Sequence, residues 1–205
     1  MNEMKGDIMK RLILASASPR RYELLSLTLL PFETYPSTLE EKMDLTLTPS
    51  QLVESLAEQK AADVFTQKPN HVVLGADTIV SYKNKRLGKP KNAVEAAEML
   101  RMLSGQTHEV YTGVCIIDQA KKVVFSVKTS VTFYTLDEKT ISWYISTGEP
   151  FDKAGSYGIQ GSGSLLVEKI QGDYFNVVGL PISKVVRSLE DFGYLFTESV
   201  TQTEK

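Results

Sequence analysis

With 205 residues, of which 42% are hydrophobic and 23% charged, the chain has the makeup of a globular protein large enough for a sizeable core. A formal net charge of -2 gives no argument for a general nucleic-acid or membrane partner, so an anionic ligand needs a local cluster of cations. The single cysteine, Cys115, excludes an internal disulfide, no apolar run reaches membrane-spanning length, and residues 1–10 lack the apolar core of a signal peptide. Cys115 lies in an apolar run and reads as a packed thiol rather than a nucleophile. These features predict a cytoplasmic protein, with Met9 as a possible alternative start.

Residues 12–15 suit a short buried strand, and the apolar positions between 24 and 30 fit one face of a helix. Between them Ser18 takes the N-cap and Pro19 the first helical position, where its missing N–H costs nothing. The amides of Arg20, Arg21 and Tyr22 are then free at the positive end of the helix dipole, beside Ser16, Ser18 and two guanidinium groups, as a phosphate site requires. An ordinary capped helix with two solvated arginines accounts for the same residues.

Farther on, residues 32–35 read as a strand and 37–44 as a polar connection carrying Glu40 and Glu41. Thr48-Pro49-Ser50-Gln51 has the form of a capping box, opening a helix over 49–65. An apolar strand over 71–76 delivers Asp77 at its C-terminal end, the edge at which open α/β sheets bind ligands. Residues 79–82 and 85–87 form a hairpin around Asn84, ended by Gly88-Lys89-Pro90. Asn92 and Glu95 open a helix that Gly105 stops, strands over 107–118 and 122–135 pair antiparallel, and Asp137 caps a helix to Thr147. Residues 148–163 hold too many glycines for a helix or regular strand and read as a loop. Strands over 164–170 and 175–178 flank a Gly172-Asp173 turn, and Pro181 opens a last helix to Phe192. With residues 1–10 and 200–205 flexible, the whole forms a single α/β domain with two lobes around a cleft.

Four places combine reactive side chains with exposing geometry: Ser16 to Arg21; Gly75-Ala76-Asp77-Thr78; Lys60 with Lys89; and the loop carrying Glu149, Asp152, Lys153 and Gln160. Each has a plainer account as a cap, a solvated lysine or a structural turn. No Walker A or G-x-S-x-G sequence occurs, Gly158-Ile159-Gln160-Gly161 does not open a helix after a strand, and His71 and His108 stand in apolar strand contexts. Carboxylates, lysines, arginines and a helix N-terminus remain, a set suited to a phosphorylated substrate with a hard divalent cation.

The stretches LASASPRR (14–21), LEEK (39–42), EQKA (58–61), GADTIV (75–80), LGKP (87–90), LSGQTHEVYTGV (103–114), GEPFDKAGSYGIQG (148–161) and GDYFNVVGLP (172–181) occur in this order. Together they resemble the Maf family of nucleoside triphosphate pyrophosphatases over nearly the whole chain, and the glutamine of GIQG is similar to the dTTP/UTP-specific branch. The resemblance implies an α/β fold with a mixed central sheet flanked by helices, elongated and two-lobed like inosine triphosphate pyrophosphatases, commonly a homodimer. It implies Asp77 as general base with Lys60 and Lys89 at the reaction centre, Arg20, Thr78 and Gln160 as specificity positions, and Ser16 and Glu40 as further polar positions. The expected reaction is hydrolysis of dTTP or UTP between the α and β phosphates. Glu40 and the phosphates would hold a magnesium or manganese ion, and Asp77 would activate water or bind the metal. A nucleotide-binding regulator of cell division with incidental hydrolysis, or a scavenger of modified purines, are the alternatives.

Overall fold

The computed structural model describes residues 11–83 and 85–194. Its frame is a seven-stranded mixed sheet of β1 (Leu12–Leu14), β2 (Phe32–Thr34), β3 (Val72–Tyr82), β4 (Lys85–Leu87), β5 (Thr107–Ile117), β6 (Lys122–Phe133) and β7 (Val167–Gln171). The strand order is β2-β1-β3-β5-β6-β7, with β4 also on β3. The β2-β1-β3 part is parallel, and every other pairing is antiparallel. Among the described residues six α-helices flank it: α1 (Pro19–Ser26), α2 (Pro49–Gln67), α3 (Ala93–Leu103), α4 (Glu138–Ser146), α5 (Tyr174–Val178) and α6 (Ile182–Glu190). No described helix is long and apolar enough to cross a membrane. The expectations for residues 1–10, Met9, Asn84 and residues 200–205 lie outside the described residues.

Strand β3 organises the molecule. Its side chains alternate between faces: Val73 packs under α2 with Ala57, Ala61 and Cys115, while Leu74 and Ala76 pack with Leu25, Leu180 and Val185 of the opposite layer. Past Thr78, the second face changes partners, and Val80 and Tyr82 join Leu100, Leu103, Phe133 and Tyr144 in a separate core. The two lobes of the molecule thus share one continuous strand, with Thr78 at their junction.

Helix α2 lies unusually close to the sheet. A Cβ on Gly75 would stand 2.5 Å from the Ala57 carbonyl oxygen, and one on Gly113, the cross-strand partner of Asp77, only 2.1 Å from that of Val53. The capping box at Thr48 and Gln51 forms as expected.

Several boundaries differ from the sequence expectation. Asp77 is not at the end of β3, because the strand runs on to Tyr82; it lies three residues past Leu74, the last residue of β3 paired with β1. Helix α1 stops at Ser26 rather than near residue 30, and Leu29 takes a left-handed φ of 58°. Ser18 stands at the N-cap, but its hydroxyl makes no capping bond. Residues 175–178 are helical, not a strand: Asp173 accepts from the amides of Phe175 and Asn176, and Gly179 at φ 129° ends the turn. The glycine-rich loop condenses into three short 3-10 turns, Glu149–Asp152, Ala154–Ser156 and Gly161–Leu166, the last replacing the start of the strand expected from residue 164.

Candidate active site

On one edge, β3 pairs with β1 through Leu74 and with β4 only from Val80, so among the described residues no strand lies beside 75–79 on that edge. A cleft of about 990 Å³ opens there, bordered by the start of α1, the Lys89 turn and the glycine-rich turns. Because the edge itself faces the cleft, Asp77 and Thr78 border it from opposite faces of the sheet.

At its base the Lys60 ammonium lies 2.5 Å from Asp77 Oδ1 and 3.0 Å from Glu41 Oε1, with the side chains of Lys60 and Asp77 only 16% and 14% exposed. The close approach of α2 permitted by Gly75 and Gly113 brings Lys60 to Asp77. Glu41 lines the cleft, whereas Glu40, the residue expected to hold a metal, is exposed and outside it. The adjacent carboxylate therefore occupies the place assigned to Glu40.

The start of α1 supplies the next wall. Ser16 Oγ accepts from the Ser18 amide and from Arg21 Nη1, whose guanidinium also donates to the Gly179 carbonyl at 2.9 Å and to Thr78 Oγ1 at 3.1 Å. Burial lowers the Arg21 pKa from its ordinary value against the attraction of Asp77, and the nearby Arg20 charge adds to the lowering. Arg21 sits three and four residues before the buried Leu24 and Leu25, so helical spacing places it on the inner face, the signal by which its structural role is legible. Arg20 points to the mouth, where it pairs with Asp152 at 3.1 Å. Lys89 lies on the exposed rim, its turn tied to the glycine-rich segment by the Gly155 amide donating to the Gly88 carbonyl.

Gln160 borders the same cleft in an extended backbone conformation. The Gly158 amide before it donates to the Tyr144 hydroxyl, and the Ser162 and Gly163 amides after it donate to the Glu149 carboxylate. Lys153 Nζ in turn donates to the Glu149 carbonyl and to Asp152. Burial raises the Asp152 carboxyl, but hydrogen bonds from Lys153 and Arg20 outweigh it and leave the pKa lowered. Arg86, unremarked in the sequence, donates to the Leu45 and Leu47 carbonyls and holds the segment before α2 at the cleft.

Ser16, Arg20, Lys60, Asp77, Thr78, Lys89 and Gln160 thus meet in one cleft, and Glu40 does not. Among the described residues no group of three or more His, Cys, Asp or Glu side chains could hold a metal ion. Two carboxylates, Asp77 and Glu41, do converge on one ammonium, and magnesium commonly uses one or two carboxylates with substrate phosphates and water. The donor set fits a cation carried with a phosphorylated ligand rather than one caged by protein.

A mixed sheet opened along one strand edge, with a carboxylate–ammonium pair at the base and cations at the rim, defines an α/β protein with a cleft lined by both basic and acidic side chains. The chain matches the family model described as Maf-like protein over residues 11–192, and it belongs to the Maf family. It is 57% identical over 188 residues to a dTTP/UTP pyrophosphatase of Bacillus cereus (strain ATCC 10987 / NRS 248), covering 92% of this chain and 93% of that one. A second relative, the dTTP/UTP pyrophosphatase of Bacillus cereus (strain G9842), is 56% identical over 184 residues, or 90% of this chain and 96% of that one.

Proposed function

We infer that this protein is a nucleoside triphosphate pyrophosphatase that hydrolyses dTTP and UTP to the monophosphate and pyrophosphate. The observation that carries the reading is the Asp77–Lys60 pair at the open edge of β3, facing the same cleft as Arg20, Lys89 and the start of α1. The names of the two relatives support the same substrates.

In this reading Asp77 orients and deprotonates the attacking water, and Lys60 fixes the carboxylate that does so. Arg20, Lys89, Ser16 and the amides of Arg20 and Arg21 hold the triphosphate, whose roughly four negative charges are attracted more strongly as the cleft excludes water; the Tyr22 amide, expected to be free as well, donates instead to the Ser18 carbonyl. The hydrolysed bond lies between the α and β phosphates: water adds its oxygen to the α phosphorus, pyrophosphate leaves, and the proton passes to Asp77. Glu41, with the substrate phosphates, would hold a magnesium or manganese ion that, when bound, neutralises phosphate charge. The resemblance extends this proposal to a homodimer, which sedimentation of the full chain tests.

The deciding experiment is a panel of dTTP, UTP, CTP, ATP and GTP with magnesium, scored for pyrophosphate release. Turnover of dTTP and UTP, lost by about 10²–10⁴-fold in a folded Asp77→Asn variant, is the expected result. Binding without turnover in the wild type favours the regulator, and full activity in Asp77→Asn removes Asp77 from the mechanism.

A further inference from the structure

The mechanism leaves Thr112 unused. It lies on β5 directly across from Thr78, is wholly buried, and its Oγ1 is 2.9 Å from Thr78 Oγ1. A threonine hydroxyl carries one proton and two lone pairs. The position of each proton along this chain of hydroxyls follows from what the ends require.

One end is the Asn176 carbonyl, in the buried turn of α5. The amides of Gly179 and Leu180, which would otherwise cap that turn, both donate to Phe175 instead. Thr112 Oγ1 lies 2.9 Å from the Asn176 oxygen, and among the described residues it is the donor that satisfies it. Turning the Thr112 proton toward Thr78 would leave a fully buried carbonyl unpaired, whereas Thr78 borders the cleft, where solvent or ligand satisfies its oxygen. The Thr112 proton therefore goes to Asn176, so the contact between the two threonines is made by the Thr78 proton.

At the other end Arg21 Nη2 donates to Thr78 Oγ1. Thr78 thus has its only proton committed to Thr112 and one lone pair committed to Arg21. What it offers the cleft is the second lone pair, an acceptor and nothing else. The phosphate oxygens of a triphosphate are mostly deprotonated at neutral pH and are themselves acceptors. We propose that Thr112 is a positioning residue that fixes Thr78 as an acceptor, so that Thr78 recognises an N–H or O–H donor on the nucleoside end of the substrate and not its phosphates.

This rests on the pyrophosphatase reading above, and it goes further by assigning polarity to a specificity position. Two donors shared by dTTP and UTP have this chemistry: the N3–H of the base and the sugar 3′-hydroxyl. The test compares kcat/KM for UTP against CTP and for dTTP against its 3′-O-methyl analogue, which can accept but not donate at that oxygen, in wild type, Thr112→Val and Thr112→Ser. Valine keeps the shape but cannot accept the Thr78 proton, which is then free to turn into the cleft. Thr112→Val is expected to lower one of the two ratios by about tenfold, the scale of one hydrogen bond, while Thr112→Ser retains it. A fall in the UTP/CTP ratio identifies N3–H, and a fall in the sugar ratio identifies the 3′-hydroxyl.

Both ratios unchanged in a folded Thr112→Val, or a serine variant as impaired as valine, overturns the inference. If the valine variant does not fold, Thr112→Cys, whose thiol is a weak acceptor, carries the same expectation. A wild type that releases no pyrophosphate from dTTP or UTP overturns instead the reading on which the inference rests.

Discussion

Gln160 shows how a residue whose side chain has no hydrogen-bond partner among the described residues can still be placed by its neighbours. The backbone on either side of it is held, by Tyr144 before and Glu149 after, while the side chain borders the cleft. Where Thr78 takes the sugar hydroxyl, the Gln160 amide accepts from the N3–H of uracil or thymine and donates to O4; where Thr78 takes N3–H, the Gln160 amide donates to O4 alone, and cytosine reverses both base groups. Gln160→Ala is therefore expected to lower the preference for UTP over CTP by at least about tenfold with a smaller change in turnover of UTP, read from steady-state kinetics on both nucleotides. An equal loss on both would assign the residue a structural role. Lys60 makes the opposite prediction. Removing its ammonium in Lys60→Ala takes away the cation that Asp77 and Glu41 share in the structure, so kcat is expected to fall by at least about tenfold for every accepted nucleotide and the UTP/CTP ratio to stay put.

At this scale the sequence shows which residues are reactive but not always which of two neighbours faces inward. Arg20 and Arg21 are adjacent, yet one reaches the mouth and the other braces the floor, a division set by helical spacing and so readable in advance. Glu40 and Glu41 lie in an irregular segment with no period to consult. Their orientation depends on Lys60, distant in sequence and brought close only by folding.

Helices and strands were legible where the chain carries its own signals. The capping box at Thr48, the Asn92 cap of α3 and the Asp137 cap of α4 all form, because each uses groups within three residues of each other. The extent of β3 was not legible, since Asp77 and Thr78 interrupt the apolar run that marks a buried strand. They remain inside it because Lys60 satisfies one and Arg21 with Thr112 satisfies the other, partners from other elements. Likewise Phe175 to Val178 has strand-like composition, and the Asp173 cap and Gly179 reversal impose the helical turn instead. The packing of α2 gives a prediction for an element rather than a side chain. Gly113→Ala places a methyl 2.1 Å from a backbone oxygen that no rotamer can move, so α2 must lift from the sheet and carry Lys60 away from Asp77. A stability loss of about 1–3 kcal/mol, or roughly 3–10 °C in Tm for a chain of this size, is expected together with a fall in kcat. Calorimetry showing an unchanged Tm would mean the close approach is not needed.

Across the whole molecule, the two cores on either side of Thr78 unfold together only if the strands they share, β3 and β5, hold both. His108 of β5 belongs to the second core, where its ring meets Phe133 and Tyr157 edge to face and its Nε2 lies 2.7 Å from the Tyr157 hydroxyl. Burial lowers its pKa from 6.5 to about 4, and pushes the Tyr157 phenol far above its usual range. The folded protein therefore takes up the His108 proton only near pH 4, whereas the unfolded chain takes it up near 6.5. Between those values the unfolded state holds more protons, so stability rises with pH there and is lost as pH falls from 6.5 toward 4, by about 3 kcal/mol in all. Carboxylates such as Asp152, whose pKa is lowered in the folded state, add their own acid loss, so the wild-type slope alone does not isolate the histidine. Comparison with His108→Gln does, because glutamine can still meet the Tyr157 hydroxyl but does not titrate. Urea unfolding at several pH values between 4 and 7 is expected to show the wild type losing more stability than the variant over this interval, the gap opening below pH 6.5. Parallel curves for the two proteins would mean that His108 is protonated in the folded state as readily as in the unfolded chain, and that its side of the molecule is open to water.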